Sequence, residues 1–125
     1  MRTAATFACL AVALAAGCKT SPAASDRPSQ AAGEVLAEFI AASEARDFER
    51  AYLLLSGALR ARYTPERLQR DFDAEPLAKE RLERARQALR LGATLRGDFA
   101  EFPVGAGKAV RLVREEGTFR VASLE

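Results

Sequence analysis

The chain predicts an α+β protein, with N-terminal helices packed on a small C-terminal antiparallel sheet, and three observations carry that reading. Between Glu34 and Leu91 apolar residues recur at helical spacing, punctuated by Asp47, by Thr64-Pro65 and by Pro76. After Gly92 the texture changes to strand-like segments divided by glycine-bearing turns. Residues 1–17 follow neither pattern: one arginine, then a run from Ala4 to Ala16 that is apolar apart from Thr6. Separate helical and strand regions of this kind make layered α+β folds rather than parallel-sheet ones.

The elements follow in order. Lys19 to Ala32, rich in Ser, Pro and Ala, predicts a tether that buries no face. Glu34–Arg46 predicts the first helix, with Val35, Leu36, Phe39 and Ile40 inward and Glu34, Glu38 and Glu44 elsewhere. Asp47 reads as the N-cap of a second helix from Phe48 to about Tyr63, its apolar set including Phe48, Ala51, Tyr52, Leu55 and Leu59. Thr64 then caps a short helix with Pro65 at its first position, where a missing N–H costs nothing, and Leu68 and Phe72 point inward. Pro76 ends it. Leu77–Leu91 carries the stripe Ala78, Leu82, Ala85 and Leu89, a Glu80–Arg84 pair at helical spacing, and Gly92 as stop.

Leu95–Phe102 predicts a strand and Pro103–Lys108 a Gly-rich turn. Ala109–Glu115 and Thr118–Leu124 predict a hairpin across Glu116-Gly117, pairing Leu112 with Val121 and Arg114 with Phe119. In that register Val110, Leu112, Phe119 and Val121 share the core face, while Arg111, Val113 and Arg120 share the other. No internal repeat is present. The domain boundaries are therefore 1–17 leader, 18–32 tether and 33–125 folded domain.

The leader has a positive start, a short apolar core and a small-residue cut site, the three parts of an export signal. Its apolar run falls short of the roughly 20 residues that span a bilayer. It closes on Leu14-Ala15-Ala16-Gly17-Cys18, which resembles the lipobox of bacterial lipoproteins. One departure is Ala15, where the family more often has Leu, Val or Ile. The resemblance implies that the Cys18 thiolate takes a diacylglyceryl group and that the mature chain begins there. It places the protein in the bacterial cell envelope, anchored to the membrane through lipid on Cys18. One acyl chain holds a protein only marginally, whereas two or three hold it durably. Lys19 follows the cysteine; in enterobacterial lipoproteins an Asp at that place favours the inner membrane, so Lys19 implies the outer one.

Composition removes whole classes of chemistry. The chain has no His, and with it go the commonest general base and metal ligand and the Ser/His and Cys/His nucleophile pairs. Only Cys9 and Cys18 are present, and Cys9 leaves with the leader, so the mature chain has no disulfide to form. No metal site and no cofactor are expected. The net charge of +2 is too small to argue for an acidic partner, and nucleic acid is a poor partner for an exported protein. Nearly all of the 19 basic residues are arginine, a bias that fits a GC-rich genome.

Three stretches resemble the small nuclear-transport-factor-2-like, or cystatin-like cone, domains of many bacterial lipoproteins. They are Ala45-Arg46-Asp47-Phe48-Glu49-Arg50-Ala51-Tyr52, Leu55-Ser56 with Thr64-Pro65-Glu66-Arg67-Leu68, and the C-terminal Val110–Val121. The resemblance implies a cone-like domain in which the Asp-Phe turn joins two helices and the last strand carries an aromatic-x-Val pattern. This chain has Phe119 where the relatives usually have Trp. Its charged helix at 77–91 is long for a cone, and the chain left for strands allows only three or four.

Catalytic cones use a buried Asp or His with Tyr donors, which here leaves Asp71, Asp73, Asp98, Tyr52 and Tyr63. Asp71 and Asp73 sit among Arg67, Arg70 and Glu75, where solvated charge is the ordinary outcome. The arginines from Arg60 to Arg90 are interleaved with acids and read as a solvated face, with acidic headgroups as the alternative. Gly105-Ala106-Gly107-Lys108 lacks P-loop spacing and reads as a turn. The stripe on 77–91 covers only two heptads, too few for a partner coil. The expected role is therefore non-enzymatic: an interaction module holding an envelope protein, or its own copy, at the membrane. The rival is a carrier or sensor of a small apolar ligand, in a cavity between helices and sheet lined by Phe39, Tyr52, Leu55, Leu112 and Phe119.

Overall fold

The computed structural model describes residues 23–124, with side chains from 27 onward; the leader and Cys18 lie outside them. Five helices precede four strands: α1 (Ala23–Glu44), α2 (Phe48–Leu53), α3 (Gly57–Arg60), α4 (Pro65–Ala74), α5 (Ala78–Leu91), then β1 (Thr94–Arg96), β2 (Phe99–Gly105), β3 (Lys108–Glu115) and β4 (Thr118–Ser123). The strands form one antiparallel sheet in sequence order. This is the α+β architecture expected.

The Ser/Pro/Ala segment is not all tether. α1 begins at Ala23, and Ala32 is fully buried with Leu36, Phe39 and Ile40 in the core. A buried alanine gives no visible apolar stripe, which is why the composition misleads. Pro28 is the sixth residue of the helix, where its missing N–H forgoes one bond to a carbonyl near the helix start. α1 ends on Arg46 in the left-handed region (φ 60°), with Asp47 N–H on the Ala42 carbonyl at 2.8 Å and Arg46 N–H on the Ser43 carbonyl at 3.2 Å. That is a Schellman closure made without glycine. Asp47 then caps α2, its carboxylate accepting from Arg50 N–H at 3.2 Å, as the sequence predicts.

The helix expected over 48–63 is instead two short ones. Leu54–Ser56 lies along the open edge of β4, with Ser56 N–H on the Val121 carbonyl and Val121 N–H on the Leu54 carbonyl, both at 2.8 Å. Those bonds take backbone groups that a continuous helix would need. Ser56 restarts the chain as the N-cap of α3, its hydroxyl accepting from Leu59 N–H at 3.3 Å. The Glu115 carboxylate also accepts from Gly57 N–H, joining β3 to α3.

The strand expected over 95–102 is a hairpin, turning at Gly97-Asp98, where Gly97 takes φ 59°. β2 runs on through Pro103 to Gly105, so the Gly-rich turn narrows to Ala106-Gly107. Pro103 is tolerated because β1 pairs no further along β2 than Glu101, leaving no ladder for the missing donor. The last hairpin matches expectation: Leu112 faces Val121 and Arg114 faces Phe119, with Glu116 (φ 51°) and Gly117 (φ 78°) in the turn. Val110, Leu112, Phe119 and Val121 are all buried in the core, where α1 packs on β4 and α5 on β2, while Arg111 lies on the outer face over the Phe99 ring.

Arginines tie the helices together. Arg50 bridges to Glu38, Arg86 to Glu44 and Glu83, and Arg46 to Asp73. A guanidinium grips a carboxylate with two parallel donors, which suits joints between elements.

Candidate ligand-binding cleft

α4 is the element that makes a site. Thr64 caps it, the hydroxyl accepting from Arg67 N–H at 3.1 Å, with Pro65 in the first turn. Leu68 and Phe72, four residues apart, share one face, yet α4 has no buried residue. Its main packing partner is α2. There Phe72 meets Phe48 with ring centroids 5.5 Å apart, and Arg46 grips Asp73 through two bonds of 2.8 and 3.0 Å. Those bonds hold the Asp73 carboxyl below its ordinary 3.8.

On its other side α4 roofs a cleft of about 450 Å³. Phe39 from α1, Leu68, Phe72, Ala78 from α5 and Leu124 supply the apolar wall, and Tyr63, Asp71, Glu75 and Arg81 supply polar groups. A second lobe of about 510 Å³ shares Phe39, Tyr63, Leu68, Arg81 and Leu124, and continues to Leu55, Leu59, Lys108 and the end of β4. The carboxylates of the first lobe are engaged locally. Asp71 lies 3.9 Å from the Arg67 guanidinium, and Glu75 accepts from Leu77 N–H at 3.2 Å. Arg67 also stacks over the Tyr63 ring at 5.2 Å.

The residues proposed from sequence do not meet in one cavity. Phe39 and Leu55 line this cleft. Leu112 is fully buried in the core, and Phe119 lines a different groove, between the first half of α1 and the β3–β4 turn. Tyr52 is half-buried, its hydroxyl donating to the Arg60 carbonyl at 3.3 Å. Core side chains such as Leu36, Leu112 and Val121 fill the space between helices and sheet where a cavity was expected, and the cleft that Phe39 lines lies at the sheet's end, under α4. Tyr63 and Leu124 were missed as lining residues. The one sequence signal for them was the amphipathic Leu68/Phe72 pair on a helix too short to bury itself.

The acids and phenols weighed for catalysis are likewise dispersed. Asp73 is an exposed ion pair, and Asp98 sits on the β1–β2 turn, its backbone carbonyl accepting from Arg114 N–H at 2.7 Å. Only Tyr63 and Asp71 share a wall. Among the described residues no group of three His, Cys, Asp or Glu is placed to hold a metal ion, and no helix is long and apolar enough to cross a membrane. No protein-family model, curated protein or solved structure matches this chain.

Proposed function

We propose that this protein is a lipid-anchored envelope lipoprotein, held at the outer membrane through Cys18, that binds an apolar ligand without transforming it. The leader ending in Ala16-Gly17-Cys18 supports the anchor and its location. The short motifs around Asp47-Phe48, Thr64-Pro65 and Phe119-Arg120-Val121 support kinship with the nuclear-transport-factor-2-like cones. One observation carries the binding function: an open cleft of about 450 Å³ whose apolar residues come from α1, α4, α5 and the chain after β4, with Tyr63, Asp71, Glu75 and Arg81 among them. Ligand pockets fall in the range of about 300–1,000 Å³ with few polar groups. The non-catalytic reading rests on the same geometry, since Asp73 is committed to Arg46 and held in its charged form, the reverse of a tuned acid.

A second reading is an interaction module for an envelope protein or a second copy. It is favoured by Leu91, 78 % exposed at the end of α5, and Leu95, 38 % exposed on the edge strand β1. Native mass spectrometry of the protein extracted from its own membranes in mild detergent separates the two. A mass shift for acyl chains at Cys18 with an additional small-molecule mass supports the carrier. An acylated chain bound to protein, with no small molecule, supports the module. An unacylated chain starting elsewhere removes the anchor.

A further inference from the structure

Resting on the cleft as the binding surface, we propose that α4 is a hinged lid, latched by Arg46, and that an apolar ligand reaches the cleft floor only when it lifts. The floor is nearly closed in the structure. Phe39 lines both lobes and Leu55 the one toward the sheet, yet they are only 2 % and 3 % exposed. The roof above that floor is α4, whose Leu68 lines both lobes and whose Phe72 lines the first. A ligand entering the cleft with α4 in place touches the rim and little of the floor.

The lid has the parts that movement needs. α4 has no buried residue, so none of its side chains is locked in the core. Extended residues bound it, Thr64 (φ −124°, ψ 163°) before and Glu75 (φ −87°, ψ 110°) after, and Pro76 separates it from α5. Arg67 donates to the Arg62 carbonyl at 3.0 Å and stacks on Tyr63, contacts within the same stretch of chain. The latch stands on the end of α1. There the Arg46 guanidinium lies 5.6 Å from the Phe48 ring centroid and grips Asp73 through two bonds, while Phe48 meets Phe72. Both charged partners are half-exposed, so water competes for them and the pair breaks and reforms readily. Losing it shifts the opening equilibrium of the lid by about two- to fivefold.

The test uses the full-length protein in lipid nanodiscs, with two readouts. Hydrogen–deuterium exchange reports the opening of α4 through its amides from Leu68 to Glu75. A neutral phenyldiazirine reports access to the floor, through photolabel on the segments carrying Phe39 and Leu55. For Asp73→Asn the proposal expects both to rise by about two- to fivefold, with exchange in α1, α5 and the sheet unchanged. Arg46→Asp with Asp73→Arg, which restores the pair with its charges exchanged, returns both to native values. Label on Phe39 that does not change in Asp73→Asn overturns the lid and leaves the cleft standing. Faster exchange in every element together also overturns it, because α4 then opens only with the whole fold. No label on the cleft segments in any variant, while α4 exchange still responds to Asp73→Asn, overturns the cleft as the binding surface and the lid with it.

Discussion

At the scale of single residues, the core is decided by a few side chains that the sheet turns inward. Leu112 and Val121 face each other with no exposed surface. Leu112→Ala removes buried methyl groups that neighbours cannot replace, and urea denaturation should show a loss of about 2–5 kcal/mol. Arg111, one position away on the outer face, should tolerate alanine with little change, because the register sends it to solvent. The Arg46–Asp73 pair acts differently, through pH. Asp73 is held below 3.8 in the folded protein by its bonds to Arg46, so its contribution is complete above the unfolded value. It is lost as pH falls through the lower folded value. The stability gap between the native protein and Asp73→Asn should therefore be open at neutral pH and close on acidification below about 3.8. High salt should narrow it at neutral pH, because both partners are half-exposed.

At the scale of elements, capping chemistry was legible and continuity was not. Asp47 and Thr64 announced helix starts because a short polar side chain before an apolar repeat satisfies orphan N–H groups locally. Thr64→Ala should cost about 1 kcal/mol in thermal or urea unfolding and loosen the α4 roof. The break between α2 and α3 left a weaker trace, although Ser56-Gly57 is a cap followed by a poor helix former. What enforces it is Val121, far along the chain, whose backbone bonds Leu54 and Ser56. The last hairpin was readable for the opposite reason: its two-residue turn and alternation are local, and they fix the register. Gly117 takes φ 78° there, so Gly117→Ala should cost about 1–2 kcal/mol.

At the scale of the whole molecule, α1 is the support on which α2, α5 and the sheet assemble, and its first turns belong to the fold. Ala32 is fully buried, and Arg27, Pro28 and Ala31 line a groove against Phe119. A chain starting at Gly33 should therefore melt below one starting at Ala23, by about 4–8 °C for each kcal/mol of lost packing. Coincident melting would return residues 23–32 to the tether. The same architecture explains the site. α5 and α1 cover the inner face of the sheet and core side chains fill the space between them, and α4, packed against α2, overhangs the end. The expected lining failed because Leu112 and Phe119 were chosen for apolarity and shared face, and those properties also make a filled core.

The sequence by itself determined the order of helices and strands, the caps at Asp47 and Thr64, the stop at Gly92 and the face of the final hairpin. Each is set by interactions within a few residues, which periodicity and turn chemistry record. The tertiary structure decided where α1 begins, where the second helix breaks, how many strands precede the last hairpin and which apolar residues line open space. Those depend on contacts between segments far apart in the chain: Ala32 in the core, Leu54 and Ser56 on Val121, and α4 against α2. A side chain's own chemistry does not reveal whether a neighbour from elsewhere will cover it, and at this cleft that cover is what separates core from site.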